Sequence, residues 1–262
     1  MNLALSSCQL TKDGRVVVIG SWDNNVYSYS VEYGRVLDSF SGHDDAVSCL
    51  RLLPGDDFVL TGSWDASVRL WPYRPTGVGR GAQATLLLEG DSAVTCLDCN
   101  QSGNLVCAGN QEGAIAFLDI RQQSPINLIQ AHREAVRGLK FTSDGSRVVT
   151  CSDDAHLKIW RVGAGGIALA EMSISAPAKS LWMGDGQLAL VGTESGVVEL
   201  WDLTEGAADH VGDLTAPVGT AELSSITCVC APELRNISDD SSPSVVVCGD
   251  SSGNIGCWSL FP

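Results

Sequence analysis

The feature that most constrains this chain is a short unit that keeps returning. Between Gly42 and Trp71 it reads Gly42-His43, then Ala46-Val47-Ser48-Cys49-Leu50-Arg51-Leu52, with apolar residues at alternate positions. A Pro54-Gly55-Asp56-Asp57 turn follows, then Phe58 to Leu60, Gly62-Ser63-Trp64-Asp65 and Val68-Arg69-Leu70-Trp71. Alternation over short runs, broken by Gly, Pro and Asp, is the pattern of half-buried strands joined by tight turns. The turn positions Asp23, Asp65, Glu112, Asp154 and Ser195 are 42, 47, 42 and 41 residues apart, and the step to Ser252 is stretched to 57.

A Gly-His start, an aromatic end and a period of about 40–45 residues match a four-stranded propeller blade. The unit resembles a WD repeat, with Pro72 after Trp71 where an Asp usually stands. The expected fold is therefore all-β, a WD-repeat β-propeller with six blades encoded in residues 1-262, in repeats of roughly 1-40, 41-85, 86-130, 131-172, 173-214 and 215-262. Repeat three is degenerate, with Glu112 at the turn and Leu118 at the Trp position, and repeat five lacks its Gly-His. Repeat two is followed by an expected insert from Pro72 to Gln83, and repeat six holds a polar one from Pro232 to Ser244. Nothing precedes Leu5 that reads as a Gly-His leader, and only Met1 to Ala4 could serve as a closing strand. The expectation is a seven-bladed parent of which this chain carries six blades, with open edges at Leu5–Leu10 and Ile255–Leu260.

Composition narrows the function. The formal net charge is −15, which argues against nucleic acid or an anionic membrane as the main partner. No apolar run approaches 18 residues and no signal pattern opens the chain, so the expectation is a cytoplasmic protein without an integral membrane segment. Three arginines, Arg69, Arg74 and Arg80, leave a local basic patch as a further reading. Ten cysteines include the pair Cys96-Leu97-Asp98-Cys99, but structural zinc wants four close ligands. Aligned on Val47, Val94, Val136 and Ile226, the residue two places on is Cys49, Cys96, Gly138 and Cys228. That is a small position in the first strand of several repeats, so packing is the reading adopted and no metal is expected. No cofactor is expected either, since Gly77-Val78-Gly79-Arg80-Gly81 lacks the strand-to-helix context of a phosphate loop. The triplet Asn236-Ile237-Ser238 is uninformative in a cytosolic chain.

His43, Ser63 and Asp65 have the composition of a catalytic triad, and so do His132, Ser152 and Asp154. Both sets share their offsets, with Ser two before Asp and Trp six after it, and a nucleophile is not needed once per blade. The expected role is a buried relay: Asp accepts from His, His contacts Ser, and Ser reaches the indole of Trp71 or Trp160. His156 and His210 lack matching partners. No catalytic residue is assigned. A hydrolase built on a propeller scaffold is the alternative, and it would need a separate His/Asp/Glu cluster.

Trp22 and Trp64 occupy the same position of neighbouring repeats, just before the turn Asp. Other repeats place Gln111, Asp153, Glu194 and Ser251 there. Aromatics are enriched at binding hot spots, so these tryptophans, with Asp44, Arg133, Asp153 and Glu194, are the candidate partner-binding residues on the rim. The competing reading is that each indole packs against a neighbouring loop.

One segment resembles a particular family. Ala4-Leu5-Ser6-Ser7-Cys8, Ser21-Trp22-Asp23-Asn24-Asn25-Val26-Tyr27 and Gly42-His43-Asp44-Asp45-Ala46-Val47 are similar to the C-terminal propeller of BEACH-domain proteins. The resemblance is dense over residues 4 to 71. It implies a non-enzymatic scaffold in receptor signalling or vesicle traffic, binding other proteins or peptides on its rim. It also implies PH-like and BEACH modules in the parent chain, and a place peripheral to membranes through that parent.

Overall fold

The structure, a computed structural model, is described at residues 4–73, 83–163, 166–184, 187–204, 208–215, 223–231 and 244–260. It divides into two compact units, Met1–Ala131 and His132–Pro262. Each unit holds three sheets, and every sheet is an antiparallel meander with its strands in chain order. In the first unit these are β1 (Leu5–Leu10), β2 (Val16–Ser21), β3 (Asn25–Ser30) and β4 (Arg35–Ser41); β5 (Val47–Leu52), β6 (Phe58–Ser63), β7 (Ser67–Pro72) and β8 (Thr85–Glu89); and β9 (Val94–Cys99), β10 (Leu105–Asn110), β11 (Ala114–Asp119) and β12 (Ser124–Gln130). The second unit has β13 (Val136–Phe141), β14 (Arg147–Ser152), β15 (His156–Arg161) and β16 (Ile167–Ser173), then β17 (Ala178–Met183), β18 (Leu188–Thr193), β19 (Val198–Asp202) and β20 (Asp209–Leu214). Its last sheet has three strands among the described residues, β21 (Ile226–Cys230), β22 (Ser244–Asp250) and β23 (Ile255–Leu260). The fold is all-β, with six blades among the described residues.

Two local devices repeat in every blade. The hairpin joining second to third strand carries one left-handed residue: Asn24, Ala66, Gly113, Ala155, Gly196 and Gly253 all have φ between 58° and 85°. Glycine adopts that conformation freely, whereas Ala66 and Ala155 hold it at a cost of about 1–2 kcal/mol that the surrounding bonds offset. The second device is a bulge at the start of the first strand, where the register slips between Leu5 and Ser7, Val47 and Cys49, Val94 and Cys96, Val136 and Gly138, Ala178 and Ser180, and Ile226 and Cys228. A bulge re-aims one side chain. The hydroxyls of Ser6 and Ser48, so re-aimed, reach the backbone carbonyls of Val47 and Val94 in the next blade.

The cores lie between blades. Within each unit the first strands pack in sequence, β1 on β5 on β9, and β13 on β17 on β21. Leu60, Val94, Val106 and Leu118 fill one interface, and Leu190, Val198, Ile226 and Val246 another. Each such apolar side chain removed from water contributes about 1.5–3 kcal/mol. Close stacking needs a small residue pair at each first-to-second strand contact, and one recurs in every blade. The pairs are Ser7–Gly20, Cys49–Gly62, Cys96–Gly109, Gly138–Cys151, Ser180–Gly192 and Cys228–Gly249. A Cβ on Gly62 would lie 2.5 Å from Val94 Cγ1, and one on Gly192 2.5 Å from Ile226 Cγ2. Cys49, Cys96, Cys151 and Cys228 are therefore the larger half of a glycine pair, and burial pushes the Cys49 thiol up to about 12.

The Pro72–Gln83 insert needs correcting at its start. Pro72 is the last residue of β7, and Tyr73 is buried beside Phe40, its ring 6.4 Å away. An aromatic ring of that size has too much apolar surface to leave in a solvated linker. Residues 74–82, with Arg74, Arg80 and the Gly77–Gly81 run, lie outside the described residues, as do Asn236, Ile237 and Ser238.

Candidate functional site

The two histidine sets build as matching networks. His43 Nδ1 lies 2.8 Å from the Asp65 carboxylate and its Nε2 2.7 Å from Thr61 Oγ1, which also accepts the Trp71 indole N–H at 2.8 Å. In the fourth blade His132 Nδ1 is 3.0 Å from Asp154, Nε2 is 2.8 Å from Thr150 Oγ1, and Trp160 donates to that threonine at 2.9 Å. Since the threonine oxygen accepts from Trp, its O–H donates to His Nε2, which places the imidazole proton on Nδ1 facing the carboxylate. Burial pulls both histidines below 6.5, partly opposed by the bond to Asp65 or Asp154, so the neutral ring is the working form. Burial opposes ionisation of Asp65, but bonds from Ser67, His43 and the Asp44 backbone outweigh it and hold the carboxyl at about 2.

The hydroxyl between His and Trp therefore belongs to Thr61 and Thr150, not to Ser63 and Ser152. Strand register explains the correction. Trp71 faces Val59 across β6 and β7, and Thr61, two residues along on the same side, is within diagonal reach of its indole. Ser63 lies nearer the turn, donating to the Asp45 carbonyl and accepting the Asp65 N–H, and Ser152 does the same with Glu134 and Asp154. Gly42 closes the second-blade network. Its φ of 156° is open to glycine, and a Cβ there would lie 3.0 Å from the Trp71 ring.

Blades without a histidine solve the same problem differently. In the first, the Tyr27 hydroxyl donates to Asp23 at 2.8 Å. In the third and sixth, the residue two before the turn takes over the capping. Asn110 accepts the N–H groups of Glu112 and Ala114, and Asp250 those of Ser224, Ser252 and Asn254. Those bonds hold the Asp250 carboxyl well below the usual range. His156 Nδ1 contacts the Asp154 carbonyl at 2.7 Å, while His210 contacts Asp213 at 2.8 Å and meets the Trp201 ring edge-on.

The edge that carries the turns also carries the tryptophans. Trp22 and Trp64 touch each other, their ring centroids 5.3 Å apart and tilted by 44°, and they remain 46% and 45% exposed. The backbone N–H of Trp64 donates to the Ala46 carbonyl, next to the exposed pair Asp44 and Asp45. On the equivalent edge of the second unit, Arg133 is exposed and the acids are balanced. Arg137 and Lys179 hold Asp153 at 2.6 Å and 2.8 Å, and Lys179 also reaches Glu194 at 3.0 Å. Asp153 and Glu194 are thus both paired with cations. Arg137 and Lys179 are bulge residues, each one place after the aligned Val136 or Ala178, and that offset was the signal for them.

A model of the Nucleolar protein 10-like, N-terminal domain, a β-propeller, matches residues 6–183, more than half of the chain. The chain belongs to that family. Propellers of this WD-repeat kind also appear among its relatives. The DENN domain and WD repeat-containing protein SCD1 of Arabidopsis thaliana is 27% identical over 186 residues, 69% of this chain and 15% of the relative. BEACH domain-containing protein B of Arabidopsis thaliana is 25% identical over 185 residues, 63% of this chain and 7% of the relative. The chain thus spans only a small part of these relatives. A solved structure, the crystal structure of the mitotic checkpoint complex, aligns with 99% of this chain and 76% of the matched one at a TM-score of 0.82. At 16% identity that likeness concerns the fold.

Two further readings meet the geometry of this propeller. Cys96 and Cys99 stand three apart on β9, so strand alternation sends them to opposite faces. Among the described residues no three His, Cys, Asp or Glu side chains gather as a metal would need. Arg69 is held by the Ser67 hydroxyl at 3.1 Å, with Asp65 3.8 Å away. No helix among the described residues is long and apolar enough to cross a membrane.

Proposed function

We propose that this chain is a non-catalytic protein-interaction module, and that a partner protein or peptide docks on the edge carrying Trp22 and Trp64. The observation that carries the reading is the exposed indole pair. Two touching tryptophans that keep nearly half their surface in water present rigid apolar area at little entropic cost. Asp44 flanks the pair, and on the second unit Arg133, Asp153 and Glu194 are the polar candidates of that unit's own turn edge. A structural role for the histidine networks supports the same reading, since Ser63 and Ser152 are each committed to two backbone groups.

The resemblance of residues 4 to 71 and the match to BEACH domain-containing protein B support a parent of that type. In such a parent the module would act in receptor signalling or vesicle traffic, beside PH-like and BEACH modules in the cytoplasm or at a membrane surface. The test is a pull-down with the wild-type chain against Trp22→Ala/Trp64→Ala. Retention of a partner by the wild type, and its loss with melting unchanged, is expected. A large fall in melting temperature would show that the indoles are packing residues, and the docking reading would fall.

A further inference from the structure

The chemistry around the tryptophans selects a class of partner. Trp64 meets Trp22, and the turn that follows Trp64 is bonded to the start of the third blade. Gly90 donates its N–H to the Ala66 carbonyl at 3.0 Å, which sets Asp91 beside the Trp64-Asp65-Ala66 turn. Ser63 donates to the Asp45 carbonyl at 2.9 Å, which fixes Asp44 and Asp45 on the same edge. All three aspartates are exposed, and among the described residues no Lys or Arg forms an ion pair with them. Arg69, on β7 of the same blade, is drawn toward Ser67 and Asp65 instead.

The second unit shows the contrast. There the same bulge positions carry Arg137 and Lys179, whose charges are spent on Asp153 and Glu194. In the first unit the bulge residue Ser48 is neutral and its hydroxyl is turned to backbone carbonyls. Two half-exposed indoles and three exposed aspartates without a cationic partner among the described residues share this edge, with one Asp45 oxygen accepting the Ala46 N–H.

We infer that this edge recognises an arginine-bearing basic peptide, the guanidinium lying against the Trp22/Trp64 pair with Asp44, Asp45 and Asp91 as its counter-charges. The inference rests on the docking reading above and adds the chemistry of the partner. An indole face attracts a cation through its quadrupole, and the attraction grows with desolvation. A guanidinium is planar, so it stacks on the ring while its edge donates to carboxylates, which an ammonium does less well. The overall charge of −15 steers such a peptide toward the protein.

The experiment titrates the chain with a labelled nine-residue Gly/Ser peptide holding three arginines, against the same peptide with citrulline, which keeps the shape and loses the charge. Fluorescence anisotropy reads the affinity. The arginine peptide should bind at least about tenfold tighter than the citrulline one, and raising salt should narrow the gap. The triple variant Asp44→Asn/Asp45→Asn/Asp91→Asn should weaken the arginine peptide about tenfold and leave the citrulline one unchanged. Trp22→Phe/Trp64→Phe should retain part of the binding that Trp22→Ala/Trp64→Ala loses, with melting temperatures compared for each. Equal binding of both peptides would overturn charge selection while leaving the docking reading standing. Absence of binding by either peptide would overturn the inference, and the pull-down then decides the docking reading on its own.

Discussion

Trp201 donates its indole N–H to the carboxylate of Glu199, 3.0 Å away and two residues earlier on the same strand. Glu199 is only 2% exposed, and its other oxygen accepts the backbone N–H of Ser175 at 2.7 Å. One buried carboxylate thus satisfies the indole that a His–Thr pair satisfies in the second and fourth blades. It also ties the loop entering the fifth blade to its third strand. A buried donor left without an acceptor is costly, and in the blade that lacks a Gly-His that acceptor is an acid.

Glu199→Gln is the sharpest test of that substitution of parts. The amide keeps one acceptor and turns an NH2 group toward a donor. The expected loss is about 1–3 kcal/mol in urea unfolding. Stability equal to wild type would mean that a water or another group serves Trp201.

Thr61→Val removes the hydroxyl shared by His43 and Trp71 at constant shape, leaving a buried indole N–H and an imidazole nitrogen unpaired. A loss of about 1–3 kcal/mol is expected, with Thr61→Ser recovering most of it. Ser63→Ala, which touches the turn and not the indole, should cost about 1 kcal/mol. If the serine change proved the larger of the two, the threonine assignment would be wrong.

Stability should depend on pH in two steps. His43 and His132 have folded values below the unfolded 6.5, so the stability from their neutral rings is full above that pH and is lost as pH falls through the lowered values. Asp65, held at about 2, contributes stability that is full above the usual carboxylate range and lost as pH falls toward 2. A melting curve series from pH 8 to 3 should show a shoulder beginning near pH 6.5, which His43→Gln/His132→Gln removes. A flat profile from pH 8 to 5 in the wild type would contradict it.

Gly62→Ala places a Cβ 2.5 Å from Val94 and 2.7 Å from the Cys49 sulfur, both in a packed interface. Overpacking of this kind costs about 1–3 kcal/mol. Val94→Ala should offset part of it in a double-mutant cycle, because the two sites contend for the same space. Strict additivity would show that the blades adjust their spacing instead.

Much of this was legible from the order of residues. The period of turns, the alternation of Val47 to Leu52 and the Gly-Ser-Trp-Asp hairpins dictate strand, turn and blade, because those depend on neighbours within a few residues. The same holds for His43 with Asp65 and His132 with Asp154, whose identical offsets announce a repeated contact. The rest depended on register between strands and on packing between blades. Thr61 and Ser63 lie on the same side of one strand, so only the cross-strand alignment with Trp71 decides which hydroxyl meets the indole. Glu199 carries no motif, and its burial against Ser175 arises from a loop folding back over the third strand. Cys151 falls at the glycine position because Gly138 faces it across the sheet, a trade visible only when the two strands are paired. Trp22 and Trp64 are 42 residues apart in the chain, and stacking of the first two blades brought their rings to 5.3 Å and left them in water. Local chemistry determined the blades; the distances between strands and between sheets decided which side chains are joined, which are neutralised and which remain open to a partner.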